Sequence, residues 1–332
     1  MVRIVADKAI PFLEDRLPDN AEVLLLPSGE ITPATVKDAD ALLVRTRTKC
    51  DAGLLAVSKV RLIATATAGT DHIDIPWCET NGIMVESAAG CNAPGVAQYT
   101  LSSLLRSGFD PSSETLGVVG IGNVGGIVTD WARRIGIRTV VSDPFRKLAG
   151  LKDERYLPLD ELLKESDAVT FHVPLTTTGP FPTFQMLKEE NIGIFNPNGI
   201  IINASRGGVI SEKAVLSHLS PIGNVIVDTW EGEPQISLET LSRAVIATPH
   251  IAGYSLEGKQ RATRMVLEAL RRYLDLDVNV EGLAPVYEPS MSITREKILD
   301  SYNPLIDTMA LKKAPDSFEA LRNHYNYRRE PS

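Results

Sequence analysis

The chain has 332 residues, of which 43% are apolar and 23% charged, with a formal net charge of −8 at neutral pH. That length is more than one compact core usually organises and points to two or three domains. The acidic balance argues against a nucleic-acid or membrane-surface partner, although a local basic pocket can still hold a small anion.

The N-terminus, MVRIVADKAIPF, lacks the long apolar core of a secretion signal, and no apolar run reaches membrane-spanning length. Three cysteines, Cys50, Cys78 and Cys91, form no C-x-x-C pair, which fits a reducing compartment. A cytoplasmic protein is expected.

Short β-branched runs come first: 3–6, 22–26, 41–45, 62–65 and 83–86 read as strands. Helical patterns at 9–17, 33–38, 51–57 and 74–80 alternate with them. This spacing predicts a first α/β unit around a small parallel sheet. A helix follows over 94–107, started by Pro94. A second series of strands is expected at 115–120, 138–143, 168–173, 199–205, 224–228 and 244–248. They are apolar along most of their length, which suits a parallel sheet covered on both faces. Six such strands with helices between them fit a doubly wound dinucleotide-binding fold. One more helix is expected over 255–274, leading the chain back to the first unit, then an irregular stretch to 292. The tail 293–332 is charged and partly helical, with too little apolar mass to fold alone, and is expected to pack on the body or on a partner.

The stretch VVGIGNVGGIV (118–128) holds G-x-G-x-x-G at Gly120, Gly122 and Gly125. It follows a strand and opens a helix. Gly120 permits the tight turn, Gly122 lets the backbone approach a pyrophosphate, and Gly125 lets helix and strand pack closely. The helix start through Asn123 and Val124 offers unpaired N–H groups to phosphate. The next strand ends in Asp143, eighteen residues past Gly125. A carboxylate there accepts hydrogen bonds from the adenosine ribose and repels the extra phosphate of NADP, so NAD is the expected cofactor.

Ligands of such sheets sit beyond the carboxyl ends of the strands. There the sequence places Ser205, Arg206 and two glycines after one strand, Asp228 to Glu233 after the next, and His250 to Tyr254 after the last. An arginine among glycines can present a fork to a carboxylate. Arg206, Glu233 and His250 together suggest oxidation of a 2-hydroxy acid: Arg206 holds the carboxylate, His250 takes the hydroxyl proton as C2 gives its hydride to NAD, and Glu233 stabilises the imidazolium. His72 reads as structural, His172 as packing near the cofactor, and His218 and His324 as surface residues.

These residues carry a resemblance to the D-isomer-specific 2-hydroxyacid dehydrogenase family. More specific strings, IVADKAIPF, ADALLVRTRTK, TATAGTDHID, AAGCNAPGVAQY, DTWEGEP, HIAGYSLEGK and FEALRNHYNYRRE, resemble one branch of it that acts on a small phosphorylated 2-hydroxy acid. The resemblance implies a Rossmann-type doubly wound NAD domain over 93–254 and a smaller flavodoxin-like α/β substrate domain over 1–92 plus about 255–280. It also implies a C-terminal α/β dimerisation region over 281–332 that falls short of the family's, and a homodimer. It implies Arg206, Glu233 and His250 as the catalytic set. NAD contacts are implied at Asp143, Ser205, Asp228 and Gly253 besides the glycine loop, and substrate contacts at Thr46, Thr67 and Tyr254. Arg45, beside Thr46 at a strand end, suits a phosphate, with Arg47 a weaker candidate. Arg328 and Arg329 in the tail are further candidates, reaching a neighbouring subunit's site. Departures from the family pattern are Thr46 for serine, Ser205 for cysteine, Gln185 for histidine, and Gly126 for a larger residue. A phosphoglycerate- or hydroxypyruvate-type dehydrogenase and a non-catalytic NAD-sensing module remain alternatives.

Overall fold

The computed structural model describes residues 1–152, 154–221, 223–287 and 292–331. The chain divides into two compact units, Met1–Asn92 with Ser255–Glu288, and Ala93–Tyr254 with Pro289–Ser332.

The first unit is built on β1 (Val2–Asp7), β2 (Ala21–Leu26), β3 (Ala41–Val44), β4 (Leu62–Thr65) and β5 (Met84–Ser87). All pair in parallel in the order β2-β1-β3-β4-β5, the flavodoxin-like order. Every residue of β3 and β4 is buried, which is why ALLV and LIAT read as continuous apolar runs. Three short helices lie between the strands: α1 (Pro33–Val36), α2 (Ala52–Leu55) and α3 (Ile75–Thr80). Thr32 and Thr35 form a capping box on α1, Asp51 accepts from Gly53 and Leu54 N–H on α2, and Asp74 accepts from Trp77 N–H on α3. The helix expected over 9–17 is not formed. Pro11 removes an N–H there, Phe12 takes φ 61, and only a single 3₁₀ turn follows at Glu14–Arg16. Ile10 and Leu13 still reach the core, so the apolar spacing that looked helical belongs to a turn.

In the second unit α4 (Ala93–Arg106) is buried along nearly its whole length. There follow β6 (Thr115–Val119), α5 (Asn123–Arg134), β7 (Arg138–Ser142), α6 (Pro144–Leu148), α7 (Leu159–Glu165), β8 (Ala168–Phe171), β9 (Ile200–Asn203), α8 (Glu212–His218), β10 (Asn224–Val227), α9 (Leu238–Arg243) and β11 (Ile246–Ala247). The sheet order is β11-β10-β9-β8-β6-β7, all parallel. Tyr156 adds one parallel bridge to Val141 beyond β7. Counting that residual strand, the order is the doubly wound dinucleotide-binding one, with the switch point between β6 and β8. The chain then returns to the first unit as α10 (Leu256–Leu274), capped by Ser255 and ended by Asp275 at φ 52. Its Val266, Leu267 and Leu270 pack against Ile4, Leu43 and Ala64 of the first sheet.

The tail forms α11 (Arg295–Ser301), α12 (Pro304–Lys313) and α13 (Phe318–Asn323), grouped with the second unit. Leu311 and Phe318 enter that unit's core. Beside a tilted Tyr99–Tyr302 ring contact, further docking is polar. Gln98 Nε2 donates to Ser301 Oγ at 2.9 Å, Ser102 Oγ to the Tyr302 carbonyl at 2.8 Å, and Arg106 Nη2 to the Leu299 carbonyl at 2.7 Å. The polar residues inside the otherwise apolar helix α4 are therefore the seat of the tail.

Candidate active site

The glycine loop leaves β6 and enters α5. Gly120 has φ +85, and a Cβ there would stand 2.7 Å from the His172 carbonyl oxygen. A Cβ on Gly125 would stand 1.9 Å from the Gly120 carbonyl oxygen, so helix and strand can approach this closely only with glycine. Gly122 meets nothing within 4 Å and is the helix N-cap, with no side chain accepting from the first turn. The N–H groups starting at Asn123 and Val124 thus keep the donor set that suits a pyrophosphate. Asp143 stands alongside: its Oδ2 accepts from Ile121 N–H at 2.9 Å and its Oδ1 from Arg146 N–H at 3.0 Å. These bonds orient the carboxylate and leave lone pairs for ribose hydroxyls. The donor set and the open approach at Gly122 fit NAD.

Gly126 also meets nothing within 4 Å. The contrast makes a prediction. Gly125→Ala should abolish measurable NAD binding, whereas Gly126→Ala should bind NAD normally and raise stability by about 0.5–1 kcal/mol, the usual gain of alanine over glycine inside a helix. Calorimetric titration with NAD and thermal unfolding of both variants check it.

After β9, Asn203 organises the turn that carries Arg206. Its Oδ1 accepts from Ser205 N–H and Oγ at 3.2 and 3.0 Å, and its Nδ2 donates to the carbonyls of Arg206 and Thr229 at 3.0 and 3.2 Å. Arg206 Nη1 donates to the Ser205 carbonyl at 2.8 Å. A Cβ on Gly207 would lie 2.0 Å from the Trp230 carbonyl, so the loops after β9 and β10 touch at backbone level.

The three acids after β10 have three different tasks. Asp228 is buried and holds the loop after β11: its Oδ1 accepts from Thr248 Oγ1 and Ile251 N–H, both at 2.7 Å, and its Oδ2 from Ala252 N–H at 3.0 Å. Glu231 is fixed through its backbone N–H, which donates to the buried Glu212 Oε1 at 2.7 Å. Glu233 meets His250, its Oε1 accepting from Nδ1 at 2.6 Å. With Nδ1 donating, Nε2 is the nitrogen left to accept a substrate proton. Burial pushes the Glu233 carboxyl up. The hydrogen bond and charge of His250, the Trp230 N–H and Arg322 together outweigh burial and hold it below the usual carboxylate range.

His250 has φ 57, an uncommon conformation for a residue other than glycine. The Asp228 bonds to the next two N–H groups and the Trp230 Nε1 bond to the Thr248 carbonyl at 2.9 Å keep it there. Gly253 follows in the same turn. Tyr254 packs edge-on against Tyr325 and Tyr327, and its hydroxyl accepts from Arg322 Nε at 3.2 Å.

Arg328 does not reach outward. It is 9% exposed, and its guanidinium donates to the carbonyls of Gly95, Ile251, Ala252 and Tyr254 and to Gln98 Oε1. It lies 4.3 Å over the Tyr302 ring. The expectation that it serves a neighbouring subunit is overturned: this cation ties the tail to the turn that carries His250. Arg329 is exposed, and its carbonyl accepts from Gln98 Nε2 at 2.8 Å. Sequence reading missed Arg322 and Glu212, since a lone arginine or glutamate on a short helix gives no signal beyond a solvated face.

Among the other histidines, the half-buried His172 bonds through Nε2 to Thr170 Oγ1 at 3.0 Å, and desolvation pushes its pKa down to about 3, so it packs as a neutral ring. In the first unit, Thr65 Oγ1 links Thr67 Oγ1 at 2.7 Å with His72 Nε2 at 3.1 Å. Arg45, just past β3, pairs with the buried Asp7 at 3.1 Å, and Thr46 next to it is exposed.

Residues 97–252 match the family described as D-isomer specific 2-hydroxyacid dehydrogenase, NAD binding domain. Over 341 residues the chain is 40% identical to the erythronate-4-phosphate dehydrogenase of Bacteroides fragilis, covering 99% of this chain and 97% of that one. It is 38% identical to the Escherichia coli O157:H7 protein of the same name over 349 residues, covering 99% and 92%. Among solved structures, the NAD+-bound 3-phosphoglycerate dehydrogenase of Entamoeba histolytica superposes with a TM-score of 0.67 at 24% identity, over 87% of this chain and 100% of that one. The chain belongs to the D-isomer specific 2-hydroxyacid dehydrogenases, in their erythronate-4-phosphate dehydrogenase family.

Proposed function

We propose that this protein oxidises 4-phospho-D-erythronate to (R)-3-hydroxy-2-oxo-4-phosphooxybutanoate with NAD, a step of pyridoxine 5'-phosphate synthesis. The observation that carries this reading is the 2.6 Å Glu233–His250 pair set at the carboxyl end of an NAD-type sheet. NAD, when bound, supplies the hydride acceptor for C2. His250 Nε2 takes the hydroxyl proton, Glu233 stabilises the imidazolium so formed, and the Arg206 guanidinium holds the substrate carboxylate. Tyr254 offers a hydroxyl beside the pair. In the first unit, Arg45, Thr46 and Thr67 supply the donors that suit a phosphate.

Asp143 sets the cofactor. Asp143→Ala should weaken NAD binding by about 10- to 100-fold, the worth of hydrogen bonds to a charged acceptor, and narrow the preference over NADP. Competition titrations with both cofactors measure this.

We further propose a homodimer joined through α12, where Leu305, Ile306 and Met309 are 38%, 62% and 64% exposed. Ile306→Glu with Met309→Glu should give a monomer by light scattering, and an unchanged mass would count against this face. The activity is tested by following NADH with 4-phospho-D-erythronate, 3-phosphoglycerate and glycerate as substrates, with a 2-oxo acid acceptor added to reoxidise any retained NADH. Turnover confined to 3-phosphoglycerate would refute the substrate assignment.

A further inference from the structure

We infer that Arg322, on the tail helix α13, governs how tightly the Glu233–His250 pair holds its proton. This rests on the catalytic reading of that pair. The geometry is specific. Arg322 Nη1 lies 4.0 Å from Glu233 Oε1, the same oxygen that accepts from His250 Nδ1 at 2.6 Å. Its Nε donates to Tyr254 Oη at 3.2 Å, which anchors the guanidinium at a second point. The helix behind it is fixed, because Phe318 at its start is buried in the core of the second unit. Only 24% of the Arg322 side chain is exposed, so solvent screens this pair less than an ordinary surface ion pair.

One carboxylate oxygen therefore serves two cations, the imidazolium when it forms and a permanent guanidinium. Among the described residues of this unit, the other charged and titratable groups around the pair are few. Asp228 interacts electrostatically with His250, and its carboxylate is already committed to Thr248, Ile251 and Ala252. The Tyr254 hydroxyl accepts from Arg322, and Arg328, which interacts with Asp307, Tyr302 and Tyr325, is bonded to the carbonyls of the turn. None of these places a second positive charge on Glu233; Arg322 does.

The consequence follows from Coulomb's law. A positive charge a few ångströms from the proton site opposes uptake of another. Oxidation of an alcohol needs His250 empty of its proton before the step. Arg322 disfavours proton uptake by the pair, while Glu233 still stabilises the imidazolium once the hydride has left. The tail thus places a fixed positive charge beside the proton-carrying pair.

The test uses the full-length protein with ¹⁵N-labelled histidine, titrated by NMR, in wild type, Arg322→Gln and Arg322→Lys. The His250 signal is assigned from its absence in His250→Asn. In Arg322→Gln the His250 signal should titrate about 0.5–1 pH unit higher than in wild type, as expected for removing one partly screened neighbouring charge. Arg322→Lys should return it to within a few tenths of a unit of wild type. The four other histidine signals show whether the fold is intact. The acid limb of kcat/KM for NAD reduction should move by the same amount in the same direction, with little change at high pH. An unmoved His250 titration in Arg322→Gln would overturn the inference, as would equal shifts in Arg322→Gln and Arg322→Lys. A raised KM at every pH with no shift of the limb would make Arg322 a substrate ligand and would also overturn it. The NMR titration needs no substrate, so it decides the role of Arg322 even if the substrate assignment fails.

Discussion

Replacing His250 by asparagine should lower kcat for NAD reduction by about 10²–10⁴-fold, the usual contribution of a positioned general base. NAD affinity should stay within about twofold of wild type, because the bonds of the glycine loop and Asp143 do not involve this side chain. Asparagine is the informative choice. His250 has φ 57, and asparagine tolerates that conformation better than alanine does. Loss of activity in His250→Asn therefore reflects lost proton transfer and not a distorted turn. Glu233→Gln should fall less far, since Nδ1 keeps an acceptor but the imidazolium loses its counter-charge. Steady-state NADH formation and a fluorescence titration with NAD check both variants. A large loss of NAD affinity in His250→Asn would place the histidine in a structural role.

The second large effect is expected at Arg328. Its guanidinium satisfies four carbonyls and an amide oxygen inside the protein, three of those carbonyls belonging to the turn 251–254. Arg328→Met removes the donor that these acceptors share, leaving the Ile251 carbonyl only the Tyr254 N–H, at a cost of about 3–5 kcal/mol, as found when one partner of a buried charged network is removed. Stability falls, and so does kcat, because the turn that holds His250 at its unusual φ loses one of its clamps; the Asp228 bonds and the Trp230 Nε1 bond remain. Arg328→Lys should restore only a minor part of either, since a point charge with three donors cannot span acceptors that a planar fork reaches. Chemical unfolding and steady-state kinetics at a temperature where the variant remains folded measure the two effects. Wild-type stability in Arg328→Met would show that the tail is not part of the site's support.

Much of the fold was legible because its strands are short, buried and β-branched. LIAT is found at Leu62–Thr65, and ALLVR proves one residue too long, the strand closing at Ala41–Val44. The two-sheet α/β organisation and the NAD-type loop followed from strand, glycine loop, helix and acid in sequence. The stretch 9–17 misled because Ile10 and Leu13 keep helical spacing while Pro11 and Phe12 make a turn. The seventh strand was invisible because it is one bridge at Tyr156. At the site, the pairing of Glu233 with His250 could be argued from strand ends alone, since a parallel sheet brings successive ends together. The roles of Arg322 and Arg328 could not. Each meets the turn after β11 from far along the chain, Arg322 reaching Tyr254 across 68 residues and Arg328 reaching Ile251 across 77. No local pattern in the tail shows which carbonyls or carboxylates a distant arginine will meet.

The central claim is that the Glu233–His250 pair drives hydride loss from a phosphorylated 2-hydroxy acid. A single-turnover experiment tests it most directly: NAD-loaded protein is mixed with 4-phospho-D-erythronate, and NADH absorbance is followed in wild type and His250→Asn. The expected result is a burst of about one NADH per site in wild type, from one bound NAD per dinucleotide fold, and essentially none in the variant. An equal burst in both proteins, or none in wild type with NAD bound, would contradict it.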